Sequence, residues 1–184
     1  MRVIAGRAGG LRLDCPDGIA RPMMDRVRGA VFSSLGEAVT DARALDLFSG
    51  SGALGIEALS RGASSCVFVD RHRKAVEVIR GNLARAKLSG TVRGQDVATF
   101  LTQAEPAAFD LVFADPPFAL DPAENAHPAR LLEGADLARC VAAGGLFAVE
   151  LPIEPPPGNT SWELLRSRRY GQAWVAFYRR LPEV

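Results

Sequence analysis

The sequence is short of lysine, histidine and cysteine, and it has no long hydrophobic run. Among 22 basic residues only Lys74 and Lys87 are lysines, so 20 are arginines. A GC-rich coding genome explains that bias as well as bidentate phosphate recognition does, so it assigns no partner by itself. Two histidines and three cysteines without a C-x-x-C pair exclude the usual structural zinc sites, and no metal is expected. Cys66 sits in an apolar run and reads as a small core residue. No apolar stretch approaches the ~20 residues of a membrane span. The start, Met1 to Arg7, lacks the apolar core of a signal peptide. A reduced, cytoplasmic, soluble protein with no membrane partner is the expectation. Internal repeats and low-complexity segments are also missing.

What is present is enough for one globular domain: 184 residues, 48% hydrophobic and 23% charged. A chain of this length buries roughly 70% of the surface it exposes when unfolded. The formal net charge is +1, but it hides blocks of both signs. Residues 1–35 sum to +3, 36–70 to −3, 71–93 to +6, 94–161 to −8 and 162–184 to +3. Near-neutrality therefore excludes a dominant basic arm or acidic tail, but not a local nucleic-acid surface. The 71–93 block reads as a solvated helix face.

Five short apolar runs alternate with stretches of helical spacing. They are Ala44–Phe48, Cys66–Asp70, the weaker Thr91–Arg93, Phe109–Ala114 and Gly145–Leu151. Ala75, Val76, Ile79 and Leu83 fall at helical spacing, as do Leu131, Leu132, Ala135, Ala138 and Val141. Near-continuous apolar strands alternating with helices predict an α/β fold with a parallel sheet covered on both faces. Two regions break the pattern. Trp162–Leu165 and Ala173–Tyr178 read as a terminal antiparallel hairpin turning at Arg168–Gly171. Glycine-rich residues 2–20, with the pairs Val3/Ile4 and Leu11/Leu13, read as another hairpin before a helix from about Asp25. The expected division is an extension over 1–24 and a main domain over 25–184.

The chemistry concentrates at two turns. In Leu45 to Glu57, a Gly-rich turn joins a buried strand to a helix, with Gly50-x-Gly52-x-x-Gly55 as a dinucleotide-type fingerprint. Asp70 lies about 20 residues on, where an acid binds adenosine ribose hydroxyls. NAD and S-adenosylmethionine share that ribose. Asp46, four residues before the first glycine, separates them. An anion there opposes a pyrophosphate but favours a sulfonium and an ammonium. The second turn is Asp115-Pro116-Pro117-Phe118 after the fourth strand, beyond the end where open α/β sheets bind ligands. Its prolines stiffen it. A carboxylate at Asp115, the Pro116 carbonyl and the Phe118 ring suit methylation of a base's exocyclic amine: the first two accept from the amine and the ring stacks on the base.

With both turns in hand, the chain resembles class I S-adenosylmethionine-dependent methyltransferases, and end to end it resembles the ribosomal small-subunit methyltransferase D family. The residues carrying the likeness are Ile4–Gly6, Gly10–Leu13, Arg21-Pro22, Asp25–Arg28, Leu45–Ala63 and Asp115–Phe118. It departs from the family pattern at Met23-Met24 and Gly29, where members commonly carry Thr before and Glu after the Asp-Arg-Val-Arg run. The resemblance implies a Rossmann-like fold with a mostly parallel seven-stranded sheet. It also implies methylation of guanine N2 in 16S rRNA, either free or in the small ribosomal subunit, by a monomer. Asp46, Gly50 and Gly52 then surround the methionine end of the donor, and Ser49 and Ser51 supply backbone contacts. Asp70 takes the ribose, Asp96 the adenine amine and Val97 the adenine ring. Asp115, Pro116 and Phe118 hold the guanine. Arg7 and Arg12 from the N-terminal hairpin, with Arg21, Asp25, Arg26 and Arg28, approach the RNA.

Three alternatives stay open on the residues: an NAD(P)-dependent oxidoreductase, a non-catalytic RNA-binding module on the same fold, and an amine methyltransferase for adenine N6 or cytosine N4. His72 and His127 read as surface residues, and Trp162, Trp174 and Tyr178 as packing. Tyr170 is a possible RNA contact at the hairpin tip. The Leu120–Pro128 stretch is either a lid or a connection.

Overall fold

The computed structural model describes residues 1–16, 23–116 and 127–182, without the side chains of 127–129. Seven strands form one sheet in the order β3-β2-β1-β4-β5-β7-β6. They are β1 (Arg43–Leu47), β2 (Ser65–Val69), β3 (Thr91–Arg93), β4 (Phe109–Ala114), β5 (Val141–Leu151), β6 (Trp162–Tyr170) and β7 (Ala173–Arg180). The first five run parallel, while β7 is antiparallel to both β5 and β6. The helices are α1 (Asp25–Leu35), α2 (Ala53–Ser60), α3 (Arg73–Ala86), α4 (Val97–Gln103), α5 (His127–Glu133) and α6 (Ala135–Cys140). Strand order reverses between β1 and β4, the crevice where ligands bind in such sheets.

Strand alternation divides the core in two. Ala44, Phe68, Phe113 and Ala148 point to the face covered by α1, α2 and α3, against Val31, Phe32, Ile56 and Ile79. Leu45, Leu47, Val112 and Phe147 point to the other, against Phe100, Leu101, Leu137 and Trp162. Every residue of α2 is buried. A helix buried all round needs cover on both sides, and residues 1–13 supply the second, adding Val3, Ala8 and Leu13 to that core. At Gly55 an added Cβ would stand 2.3 Å from Phe68 and 2.7 Å from the Cys66 sulfur, so only glycine lets α2 lie this close to β2.

The expected elements form, with three differences. Among the described residues the N-terminal hairpin has a single bridge, Arg2 with Arg12, flanked by Val3 N donating to Leu11 O on one side and Leu13 N donating to Met1 O on the other. At the other end, β6 continues through Arg168, Arg169 and Tyr170, which pair with Val175, Trp174 and Ala173. The turn is therefore only Gly171-Gln172, because cross-strand pairing continues until a two-residue loop can close it. Val141 opens β5 instead of continuing a helix, since α6 ends at Cys140. Arg21, Phe118 and most of the Leu120–Pro128 stretch lie outside the described residues. Among the described residues, no helix is long and apolar enough to cross a membrane.

Candidate functional site

Four acids stand at the C-terminal ends of adjacent strands: Asp70 after β2, Asp46 in β1, Asp115 after β4 and Glu150 in β5. Each lies two residues beyond a side chain packed on the α1–α3 face (Phe68, Ala44, Phe113 and Ala148), so period-two alternation aims all four at that face. Among the described residues none of the four is in an ion pair.

Asp46 is almost fully buried, and its Oδ2 accepts the Gly55 amide at 2.9 Å. Burial pushes its carboxyl well above the usual range; the Gly55 N–H opposes this, and the charges of Asp115 and Asp70 add to it. Asp70 closes the glycine turn, with Oδ2 accepting from Gly50 N at 2.9 Å and Oδ1 from His72 N at 2.8 Å. The turn enters α2 at Gly52, whose φ of 77° is left-handed and suits glycine. The Ser49 hydroxyl donates to Asp46 O at 2.5 Å and accepts Val69 N at 2.9 Å, and the Ser49 amide donates to Val69 O at 3.1 Å. Ser49 thus ties β1 to β2, with its amide already engaged. Ser51 is buried; its carbonyl accepts from Asn82 Nδ2 at 2.9 Å. Asp96 caps α4 by accepting from Ala98 N and Thr99 N through one oxygen, while Val97 packs in the core on the other sheet face.

Asp115 Oδ2 accepts the Met23 amide at 3.2 Å, joining the segment before α1 to the end of β4. Burial raises the Asp115 carboxyl to about 6. Glu150 is raised to about 8, by burial first and then by the charge of Asp115. Pro116 follows Asp115 and is buried.

Of the arginines expected to face RNA, Arg7, Arg12 and Arg26 are exposed. Arg28 is fully buried, so its guanidinium faces the interior and not RNA. It lies on the inward face of α1, donates to Arg2 O and to Asp25 Oδ1, and comes within 4.0 Å of Glu57. Asp25 is correspondingly committed to Arg28.

Residue-level reading missed Glu57 and Asn82. Buried Glu57 accepts from Ile4 N at 2.7 Å, Ala5 N at 3.0 Å and Arg61 Nε at 2.7 Å. Asn82 accepts from Asp14 N and donates to the carbonyls of Asp14 and Ser51. Together they fasten the N-terminal segment onto α2 and α3. A signal was available: a lone acid inside the otherwise apolar Ala53–Leu59, and an Asn beside Ile79 and Leu83 on the buried stripe of α3.

Comparison with known proteins fixes the relationship. The family model described as conserved hypothetical protein 95 matches residues 1–179. Ribosomal RNA small subunit methyltransferase D of Escherichia coli K12 is 35% identical over 184 residues, covering 98% of this chain and 90% of that protein. The chain belongs to the ribosomal small-subunit methyltransferase D family. In structure it is similar to the Escherichia coli protein yhhF, with a TM-score of 0.84 at 34% identity over 100% of this chain and 99% of that one. An RNA methyltransferase from Salinibacter ruber in complex with S-adenosyl-L-homocysteine shares the fold, with a TM-score of 0.63 at 17% identity over 89% of this chain and 96% of that one. The seven-stranded, mostly parallel sheet with its terminal antiparallel strands is thus the Rossmann-like methyltransferase architecture expected from the sequence.

Proposed function

We propose that this protein transfers a methyl group from S-adenosylmethionine to the exocyclic N2 amine of a guanine in 16S rRNA. The observation that carries the reading is the Asp115 carboxyl, placed across the sheet's switch point from Asp46, in a chain related end to end to small-subunit rRNA methyltransferases. The residues fit the donor. Asp46 is a buried acid with no ion-pair partner among the described residues, beside a glycine turn, and is complementary to a cationic ligand. Asp70 sits at the strand end that suits ribose hydroxyls.

When bound, S-adenosylmethionine supplies an electrophilic methyl carbon on a sulfonium. The chain's own work is positioning and charge control. Asp115 and the Pro116 carbonyl accept from the two N2 hydrogens and aim the nitrogen lone pair, while Phe118 stacks on the extruded base. Guanine N2 is conjugated and weakly nucleophilic, so Asp115 also takes up the developing positive charge and then the departing proton. Positioning of this kind supplies up to about 7–11 kcal/mol of barrier reduction. Exposed Arg7, Arg12 and Arg26 give the RNA phosphates a cationic approach. A nicotinamide cofactor is disfavoured because its pyrophosphate would meet Asp46.

Labelled-methyl transfer to small ribosomal subunits, bare rRNA and DNA, followed by nucleoside identification, tests the reading. N2-methylguanosine from rRNA supports it. A label on adenine N6 or cytosine N4, or nicotinamide binding without donor binding, overturns it.

A further inference from the structure

Glu150 has no role in the chemistry above, yet it is built into the same place. Ala114 of β4 pairs with Val149 of β5, so one step further along the parallel strands Glu150 stands beside Asp115. Both side chains turn to the α1–α3 face, and their charges interact. Across the sheet Glu150 pairs with apolar Val175 of β7. Its Oε2 is buried with no hydrogen-bond partner among the described residues. Native proteins rarely leave such an oxygen unmatched unless something else satisfies it.

We propose that Glu150 reads the N1–H of the target base and gives the site its preference for guanine over adenine and cytosine. This rests on the guanine-N2 reading above and deepens it. On its Watson–Crick edge guanine sets N2–H, N1–H and O6 in a row. Neighbouring strands stand about 4.8 Å apart, a span that one base edge covers. With Asp115 on N2–H, a Glu150 oxygen accepts N1–H, and in the protonated state the second oxygen donates to O6. Adenine and cytosine present a ring-nitrogen lone pair where guanine presents N1–H. The protonated carboxyl can donate to that lone pair, but its accepting oxygen then faces adenine C2–H or the cytosine O2 carbonyl and stays unmatched, whereas guanine matches both oxygens. A site built around a buried polar group rejects the analogue that fails to pair with it.

The test compares guanine with 2-aminopurine, which keeps the N2 amine but lacks N1–H and O6, at the methylated position of the same rRNA fragment. The wild-type protein is expected to favour guanine strongly in kcat/KM. Glu150→Leu, similar in volume and without polar atoms, should lower transfer to guanine about tenfold to a hundredfold while leaving 2-aminopurine nearly untouched. Glu150→Gln, which keeps an acceptor for N1–H and a donor for O6, should recover the preference. If Glu150→Leu folds poorly, the comparison runs on Glu150→Met, and binding of S-adenosylhomocysteine by calorimetry reports the integrity of the rest of the site. Equal losses on both bases, or an undiminished preference in the leucine and methionine variants, overturns the proposal while leaving the guanine-N2 reading standing. A wild-type product other than N2-methylguanine overturns both.

Discussion

Glu57 and Asp115 are both carboxyls drawn in from solvent, and their surroundings differ in kind. Glu57 accepts hydrogen bonds from two backbone amides and Arg61, with buried Arg28 within 4.0 Å. Among the described residues Asp115 accepts one bond, from Met23 N, and neighbouring Glu150 has an oxygen with none. The first arrangement holds the N-terminal segment on α2. The second leaves acceptor capacity facing the crevice at the strand ends. Burial alone does not separate these two acids; the number of hydrogen bonds each carboxyl accepts does.

That contrast breaks first at Glu57. Glu57→Ala leaves the Ile4 and Ala5 amides and Arg61 without their acceptor and buried Arg28 with Asp25 as its one remaining carboxylate, and should cost about 3–5 kcal/mol of stability, read from urea unfolding. Methyl transfer per folded molecule should survive, and a loss of transfer without a loss of stability would erase the distinction. Next in size is Asp70→Ala, which should weaken binding of S-adenosylhomocysteine by about 1.5–3 kcal/mol in calorimetry. An unchanged dissociation constant would place the donor elsewhere.

Titration sharpens the comparison. Because burial lifts Asp115 to about 6, transfer should rise with pH through that value as the acceptor ionises. Glu150 is raised from 4.5 to about 8, so the fold prefers it protonated. Its contribution to stability is complete below about pH 4.5 and is lost as pH rises towards 8. Glu150→Gln cannot ionise, so its melting temperature should match the wild type near pH 5 and exceed it increasingly towards pH 8; a constant offset would contradict this. The smallest effect is at the surface. Replacing Arg7 and Arg12 together should reduce the slope of log affinity for rRNA against log salt by about one for each phosphate that is no longer neutralised. An unaltered slope would move the RNA surface away from the N-terminal segment.

The parallel sheet was legible because its strands are continuous apolar runs, and the two turns at the sheet's switch point because Gly50, Gly52 and Asp115-Pro116 are unusual in composition. The burial of Arg28 is not legible because, in Asp25–Arg28, one-dimensional spacing cannot distinguish an arginine facing solvent from one turned inward. Its second acidic neighbour, Glu57, is 29 residues away in sequence and comes within 4.0 Å only in the fold. Glu150 is not marked out in the sequence, because a single acid in Ala148–Leu151 carries no sign of which side chain stands beside it. Only the register of β4 with β5 sets it beside Asp115. The length of β6 was underestimated because Arg168, Arg169 and Tyr170 resemble a turn until their partners on β7 are known.

The most direct measurement is the initial rate of labelled-methyl transfer to small ribosomal subunits by Asp115→Asn beside the wild type, with thermal stability measured on the same samples. Asparagine keeps the shape and can still accept the Met23 amide, but it cannot take the departing proton. The account predicts a rate lower by about a hundredfold to ten-thousandfold, with stability unchanged or raised and S-adenosylhomocysteine bound as before. Wild-type turnover in this variant would contradict it.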